Sequence, residues 1–370
     1  MDKNMVGTRQ GPLAGLRVIE FAGIGPGPHA AMLLANLGAE VLRIQRPGGN
    51  GFPNPVVDSG LSPVTLDIRT DEAREQCLEL AELADVVLEG NRPGVMERLG
   101  LGPDQAMARN PRLIYGRMTG WGQFGPLAQA AGHDINYIAL TGALAAIGRE
   151  GETAQPPLNL VGDFGGGSLY LAFGIVTALW EREKTGEGQV IDAAIVDGVA
   201  SLMSFFAGLA PGGIVSLERS KNMLGGAAPF YRCYRCADGK EIAIGALEPK
   251  FYAELLERTG ADDSLKSGQL DQRNWEERSK QFVSLFATKT RDEWCDILEG
   301  TDACFAPVLT LDESVKHPHM KERNVYIERD GCYHAAPAPR FSRTPGAVAP
   351  APSGEALISH WRNGQGGSKN

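Results

Sequence analysis

The 370-residue chain has no block of basic residues. Its 36 lysines and arginines are outnumbered by 45 aspartates and glutamates, which gives a net charge of −9, and they are spread along the sequence. A nucleic-acid-binding surface shows clustered lysines and arginines, so this distribution argues against a nucleic-acid partner. Any anionic ligand must instead be bound by a small local group of arginines.

Long apolar runs and cysteines are also scarce. Met1 to Gln10 contains no apolar stretch of the signal-peptide type, and the longest nearly unbroken apolar run, Leu169 to Trp180, is shorter than the ~20 residues of a membrane-spanning helix. Six cysteines in a chain of this size fit reduced thiols better than a disulfide framework. Because Ser368-Lys369-Asn370 also lacks the terminal leucine of a peroxisomal address, we expect a cytoplasmic protein with no membrane partner.

The Cys233-x-x-Cys236 pair raises the possibility of a metal site. It lies in a predicted hairpin strand, where the two thiols point to opposite faces of the sheet. No second pair of ligands accompanies it, so the sequence predicts no metal site.

Alternating strands and helices dominate the N-terminal half. One βαβ unit is predicted over residues 16–44 and a second over residues 64–88, and both have buried-strand runs and helical apolar spacing. This alternation is typical of an α/β, doubly wound (Rossmann-like) parallel sheet, which binds its ligands at the carboxyl ends of its strands. We expect a large α/β domain at residues 11–215, a Gly-rich linker at 216–228, and a small α+β domain at 229–325.

The turn after the first strand, Gly23-x-Gly25-x-Gly27, is similar to a dinucleotide-binding fingerprint. However, the third glycine of that fingerprint would fall at Pro28, and the second strand ends in Arg43-Ile44-Gln45-Arg46 without an acid to bind a ribose hydroxyl. A nicotinamide cofactor is therefore disfavoured. Arginine at this strand end suits the phosphorylated ADP of coenzyme A, because a guanidinium pairs bidentately with phosphate.

Two glycine-flanked segments provide a histidine and a carboxylate. They are Gly132-His133-Asp134-Ile135-Asn136-Tyr137 and Asn159-Leu160-Val161-Gly162-Asp163-Phe164-Gly165-Gly166-Gly167. A base and an acid are what proton transfer next to a carbonyl requires, so the segments indicate an enzyme. Considered separately, a lone His133 is more often a hydrogen-bonded structural histidine, and a lone Asp163 a helix N-cap.

Both segments resemble those of the alpha-methylacyl-CoA racemases, within the wider family III CoA-transferase superfamily. The resemblance runs from Leu13 to about Arg343 and includes four further motifs in order: residues 22–28, 89–94, 245–249 and 338–342. It implies that the large domain binds CoA and that residues 326–363 return to that domain. It also implies an intertwined homodimer, in which the small domain of one chain covers the large domain of the other.

The resemblance further implies roles for individual residues. His133 and Asp163 are implied as catalytic, and Glu248 as a third active-site residue that orients His133. For Asp134 the resemblance implies a structural or CoA-orienting role, and a part in proton transfer stays open beside these two. The CoA-binding residues it implies are Arg43, Leu66, Asp67, Ile68, Arg69, Gly90, Asn91, Arg92, Arg98, Gly132, Asp134, Ile135, Asn136 and Tyr137.

The implied activity is that of an isomerase of fatty-acid metabolism, a 2-methylacyl-CoA racemase. A thioester α-hydrogen is only weakly acidic, so its removal needs a base on one face, stabilisation of the enolate oxygen, and an acid on the other face. No cofactor is expected, since CoA enters as part of the acyl-CoA substrate.

Two alternatives remain from the sequence. In a family III CoA-transferase, Asp163 would be the nucleophile that attacks an acyl-CoA. Transferases usually have Phe or Tyr at the position of His133 and a longer glycine run than Gly225-Gly226, so both features favour the racemase. A non-catalytic acyl-CoA-binding protein would need only the arginines, and the joint presence of His133, Asp163 and Glu248 argues against it.

Overall fold

The computed structural model describes residues 9–49 and 53–364. Its described residues divide into two compact units. The first unit comprises those within Met1–Thr141, Pro157–Leu202 and Lys321–Asn370, and the second comprises Gly142–Pro156 and Met203–Met320. The sequence predicts disorder from Gly364 to Asn370, and residues 365–370 of this segment lie outside the described residues.

The described strands form three sheets. In chain order they are β1 (Arg17–Phe21), β2 (Glu40–Gln45), β3 (Leu61–Thr65), β4 (Val86–Glu89), β5 (Ile114–Thr119), β6 (Val190–Ala194), β7 (Tyr231–Arg235), β8 (Glu241–Gly245), β9 (Phe305–Pro307), β10 (Tyr326–Arg329) and β11 (Cys332–Ala335).

The described α-helices alternate with these strands and dominate the second unit. They are α1 (Pro26–Asn36), α2 (Asp71–Leu83), α3 (Val95–Arg98), α4 (Pro103–Arg109), α5 (Asp134–Leu140), α6 (Ala143–Ala146), α7 (Leu169–Thr185), α8 (Ile195–Leu202), α9 (Ser204–Leu209), α10 (Pro249–Thr259), α11 (Trp275–Phe286), α12 (Arg291–Leu298), α13 (Leu311–Ser314), α14 (Pro318–Glu322) and α15 (Gly354–Asn363). A π-helix, Leu160–Ser168, runs directly into α7.

The first unit is built on a six-stranded sheet in the order β3-β2-β1-β4-β5-β6, with all neighbouring strands parallel. The strands are largely buried, as expected when helices cover both faces of a parallel sheet. The strand order reverses between β1 and β4, which creates a crevice at their carboxyl ends. The predicted doubly wound α/β fold is therefore confirmed.

The third strand begins earlier than the sequence pattern predicted. The prediction starts at Val64, whereas β3 is Leu61–Thr65. The predicted strand runs from Val64 to Ile68, but Leu66 and Ile68 lie in the loop after β3 and pack against the core from there. The strand reaches back to Leu61 because that residue pairs with Val41 of β2, and Thr70 then caps α2 by accepting a hydrogen bond from the Ala73 amide.

The C-terminal helix α15 packs on β2, β3 and α2 of the first unit. Ser353 caps its N-terminus, and Trp361 at its other end is fully buried and donates a 2.6 Å hydrogen bond from Nε1 to Glu40. Its apolar residues therefore complete the core beside the edge strand β3.

The second unit has an antiparallel sheet in the order β7-β8-β9, covered by helices, and its core contains seven buried aromatic side chains. Its extent differs from the predicted boundaries. Residues 142–156 and 203–215 belong to the second unit, although the predicted large domain includes them. One reason is the hydrogen bond that the Glu150 amide donates to Ser220 Oγ at 2.6 Å, a contact between segments 70 residues apart.

Among the described residues, one helical segment is long and apolar enough to cross a membrane by length and composition. It is Leu160–Thr185, 26 residues with a mean hydropathy of 1.3 over its most apolar part. The sequence prediction underestimated this length because the glycines after Asp163 were interpreted as the start of a shorter helix. A core helix passes the same test, and Leu171, Ile175 and Ala178 of this segment are buried in the first unit.

Candidate active site

A cavity of about 760 Å³ lies in the first unit, at the carboxyl ends of β1, β4 and β5. This is the point where the strand order reverses, the usual ligand site of an open parallel sheet. The residues that line it come from the segments 21–28, 88–93, 118–121, 128–137, 159–163 and 195. It contains both segments in which the sequence predicts catalytic residues.

His133 lies at the cavity wall as the N-cap residue of α5. Its backbone amide donates a 3.0 Å hydrogen bond to the side-chain oxygen of Asn136, which fixes the start of the helix. Tyr137 closes the same turn, because its hydroxyl donates to the Gly132 carbonyl and its ring packs edge-on against Trp121 at 4.8 Å. The exposed imidazole of His133 is thus carried on a well-defined backbone.

Asp163 lies on the π-helix, in which the Phe164 amide donates to the Asn159 carbonyl five residues earlier. Helices of this type are rare and often occur at functional sites. Asn159 also donates a hydrogen bond to Asp163 Oδ2 at 3.3 Å, and Gly25 lies so close that a Cβ there would be 3.1 Å from that oxygen. Gly25 has a φ of 70°, so the turn before α1 needs glycine for both reasons.

Burial raises the pKa of the Asp163 carboxyl group, and the charge of Asp134 adds to this effect. The Asn159 hydrogen bond and His133 act in the opposite direction. That His133 lowers the pKa of Asp163 agrees with the position of both side chains in one cavity. A carboxyl group with a raised pKa is suited to both taking up and releasing a proton.

Asp134 holds the backbone of Asp163 in place. It is buried, and its Oδ2 accepts a 2.6 Å hydrogen bond from the Asp163 amide. It does not line the cavity. Gly162 is needed beside it, because a Cβ there would overlap the Asp134 carboxylate. Of the three roles left open by the sequence, the geometry favours the structural one.

The structure separates the four predicted arginines. Arg92 lines the cavity, whereas Arg98 is exposed on α3 and Arg69 is bound by the neighbouring Asp67 at 2.8 Å. Arg43 is only 5% exposed, and its guanidinium is bonded to two carboxylates, Glu20 at 2.5 Å and Asp58.

A phosphate contact of Arg43 would require these ion pairs to open, so the structure gives this arginine a core role that the sequence did not predict. The partners were not recognisable in sequence, because Glu20 lies on β1 and Asp58 lies in the connection between β2 and β3. Of the other predicted CoA-binding residues, the cavity includes Gly90, Asn91, Gly132, Asn136 and Tyr137 and does not include Leu66, Asp67, Ile68 and Ile135.

Glu89 is a residue of the site that the sequence reasoning did not identify. It ends β4, is 1% exposed and lines the cavity. Its Oε2 accepts a 2.6 Å hydrogen bond from the Asn91 amide, and its Oε1 accepts from Arg117 Nε at 3.1 Å. Burial raises the pKa of this carboxyl group. A charged residue at the end of an apolar strand was the signal that could have identified it.

Glu248 belongs to the second unit, where it is exposed as the N-cap residue of α10. Burial raises the pKa of the Cys304 thiol and the charge of Glu248 adds to this effect, so the two side chains lie near each other in that unit. Its predicted role beside His133 stays a prediction. Across the described parts of both units, the structure has no group of three or more His, Cys, Asp and Glu side chains arranged to hold a metal ion.

Comparison with known proteins identifies the family. The model of CoA-transferase family III matches residues 13–356. The mouse protein named alpha-methylacyl-CoA racemase is 46% identical over 334 residues, which are 90% of this chain and 87% of that protein. The human protein of the same name is 45% identical over 336 residues, with the same coverage of both chains.

Solved structures agree. A CAIB/BAIF family protein from Brucella suis superposes with a TM-score of 0.82 at 25% identity, covering 95% of this chain and 100% of the other. Rv3272 from Mycobacterium tuberculosis gives a TM-score of 0.78 at 28% identity, covering 95% and 99%. The chain therefore belongs to CoA-transferase family III.

Proposed function

We propose that the protein is a 2-methylacyl-CoA racemase, an isomerase that interconverts the (2R) and (2S) forms of its substrate. The observation that carries the proposal is that His133 and Asp163 line the same cavity at the switch point of the sheet. The names of the mouse and human relatives support the same activity. Fatty-acid metabolism and a cytoplasmic location are part of the proposal.

In the proposed mechanism, one of the two side chains removes the α-proton of the thioester and the other returns a proton to the opposite face. The electron pair of the broken C–H bond moves into the enolate, whose negative charge lies on the thioester oxygen until reprotonation. His133 is the base in one direction and the acid in the other, and Asp163 has the complementary role. The raised pKa of Asp163 supports its use as an acid as well as a base.

The CoA part of the substrate is proposed to lie along the turn after β4, where Arg92 reaches the cavity. Arg92 and Arg98 are exposed and form no ion pair with any other residue in the described ranges, so both guanidinium groups are available to phosphate. The reaction moves a proton only, and we propose no cofactor beyond the CoA of the substrate.

A homodimer is also proposed, with Glu248 contributed by the second chain to the site of the first. The outer face of α7 supports a partner, since Leu169, Phe173, Val176 and Trp180 are between 45% and 70% exposed. Their spacing of four, three and four residues puts them on one side of the helix. Contiguous apolar surface of this kind marks interaction sites in folded proteins.

Incubation of (2R)-2-methylacyl-CoA in deuterated water tests the function. When no free carboxylic acid is present to accept CoA, we expect deuterium at C2 and formation of the (2S) epimer. A parallel incubation contains a free carboxylic acid. If CoA moves to that acid and C2 gains no deuterium, the protein is a CoA-transferase in which Asp163 is the nucleophile. If neither product forms while CoA binds, it is an acyl-CoA-binding protein.

A further inference from the structure

The turn that follows β4 is held at its base by a buried arginine from the neighbouring strand. Arg117 of β5 is 6% exposed and bonds to two carboxylates that lie on either side of the turn. One is Glu89, the last residue of β4, at 3.1 Å. The other is Glu97 on α3, which receives Arg117 Nη1 at 2.7 Å and Nη2 at 3.3 Å.

These contacts close a loop from Glu89 to Glu97. The segment between them contains Asn91 and Arg92, which line the cavity, and Arg98 follows its last residue. Glu89 adds a second fixed point inside the loop, because its other carboxylate oxygen accepts from the Asn91 amide at 2.6 Å. The Pro93 carbonyl is held as well, by a 3.0 Å hydrogen bond from Gln129 Nε2.

The arrangement is stronger than an ordinary surface ion pair. Arg117 and Glu89 are buried, where charge-assisted hydrogen bonds are screened little by solvent. The Arg117–Glu97 contact uses two guanidinium nitrogens and both carboxylate oxygens, a geometry that fixes direction as well as distance. An arginine that bonds to both ends of one loop restricts the conformations of that loop.

We propose that Glu89, Arg117 and Glu97 are positioning residues for the binding of CoA, and that they act by holding the Gly90–Gly94 turn in the conformation that presents Arg92. None of the three needs to touch the ligand. The inference rests on the proposed acyl-CoA substrate and adds the part of the chain that organises its nucleotide end.

The test uses Glu97→Ala in the full-length protein and free CoA as the probe, with affinity measured by calorimetry. Glu97 is chosen because its side chain is 41% exposed, so its removal leaves the buried Arg117–Glu89 pair intact. We expect CoA affinity to fall about tenfold, the size of a coupling of about 1.4 kcal/mol within one network. Glu97→Gln, which keeps one acceptor oxygen, should recover part of the loss.

Glu82→Ala is the matched control. The Glu82 side chain is also 41% exposed and also bonds to an arginine, Arg109 at 2.7 Å, but it lies on α2 outside the loop. It should bind CoA with wild-type affinity. In turnover of a 2-methylacyl-CoA, Glu97→Ala should raise KM and leave kcat within about twofold, since its effect is on binding only.

A double variant separates positioning from general stability. If Glu97 acts through Arg92, then Glu97→Ala combined with Arg92→Ala should bind CoA no more weakly than Arg92→Ala alone. Equal losses in Glu97→Ala and the Glu82→Ala control, wild-type affinity in Glu97→Ala, or additive losses in the double variant would each overturn the inference. If CoA binding depends on Glu97 but C2 gains no deuterium, the racemase function is overturned and this inference stands.

Discussion

Asp163 is the residue whose replacement is most informative about the mechanism. Asp163→Asn keeps the shape and removes the base, so racemisation should fall by at least ~10²-fold. Exchange of the α-hydrogen of one enantiomer with deuterated solvent should persist through His133. His133→Ala should exchange the α-hydrogen of the other enantiomer. Deuterium uptake by each pure enantiomer is measured for both variants by mass spectrometry. Equal loss of exchange for both enantiomers in either variant would contradict the two-face arrangement.

The pH dependence of the same residue follows from the direction of its shift. Burial raises the pKa of Asp163, so the group stays protonated, and unable to act as a base, up to a higher pH than an ordinary aspartate. In the direction in which Asp163 is the base, kcat should therefore fall on the acid side with a midpoint above 3.8, the usual pKa of aspartate. This acid-side fall in kcat should be absent in Asp163→Asn. A midpoint at or below the usual value would contradict the burial argument.

At the scale of elements, the π-helix depends on close contact with α8. A Cβ at Gly198 would overlap the Gly166 carbonyl, so Gly198→Ala should force the two helices apart and destabilise the fold by about 1–3 kcal/mol. Gly208→Ala on α9 is the control, because a Cβ there would meet no atom within 4 Å. It should be neutral or slightly stabilising, since alanine favours helix more than glycine does. Urea unfolding of both variants gives the comparison.

A second element-scale expectation concerns acid stability. In the second unit, hydrogen bonds from Arg291 and the Thr310 amide lower the pKa of Glu313 to about 2, from a usual value of 4.5. A group with a lowered pKa in the folded state contributes stability above its unfolded pKa, and that contribution is lost as the pH falls through the folded value. The contribution of Glu313 should therefore disappear between about pH 4.5 and pH 2. Glu313→Gln should show a shallower loss of stability over this window in acid titration followed by circular dichroism.

The sequence predicts elements better than it predicts the contacts between them. Strand and helix periodicity is a local property, so the parallel sheet and the position of the site at its carboxyl edge could be predicted. A π-helix has no comparable apolar period, and the segment around Asp163 was therefore interpreted as a turn followed by an α-helix. Arg43 could not be assigned to Glu20 and Asp58, because the first pairing depends on strand register and the second on the path of a loop, and the residue order reveals neither.

At the scale of the whole molecule, the proposed homodimer predicts complementation between inactive chains. His133→Ala and Glu248→Ala should each be inactive or nearly so, and refolding them together should restore part of the racemisation. The reason is that a mixed dimer would contain one site with an intact pair and the Glu248 of the other chain. Heterodimers that form but show no activity would contradict a shared site.

The order in which the chain is synthesised gives a further consequence for α15. This helix is the last described element, yet the hydrogen bond from Trp361 to Glu40 joins residues separated by 321 positions. A ribosome therefore releases β2 and β3 long before the helix that packs on them exists, and the surface that α15 covers stays exposed during most of translation. A chain that ends at Pro352 would keep the cavity lining but never acquire that cover, and we expect it to accumulate in the insoluble fraction. Co-expression of α15 as a separate peptide should restore part of the soluble yield.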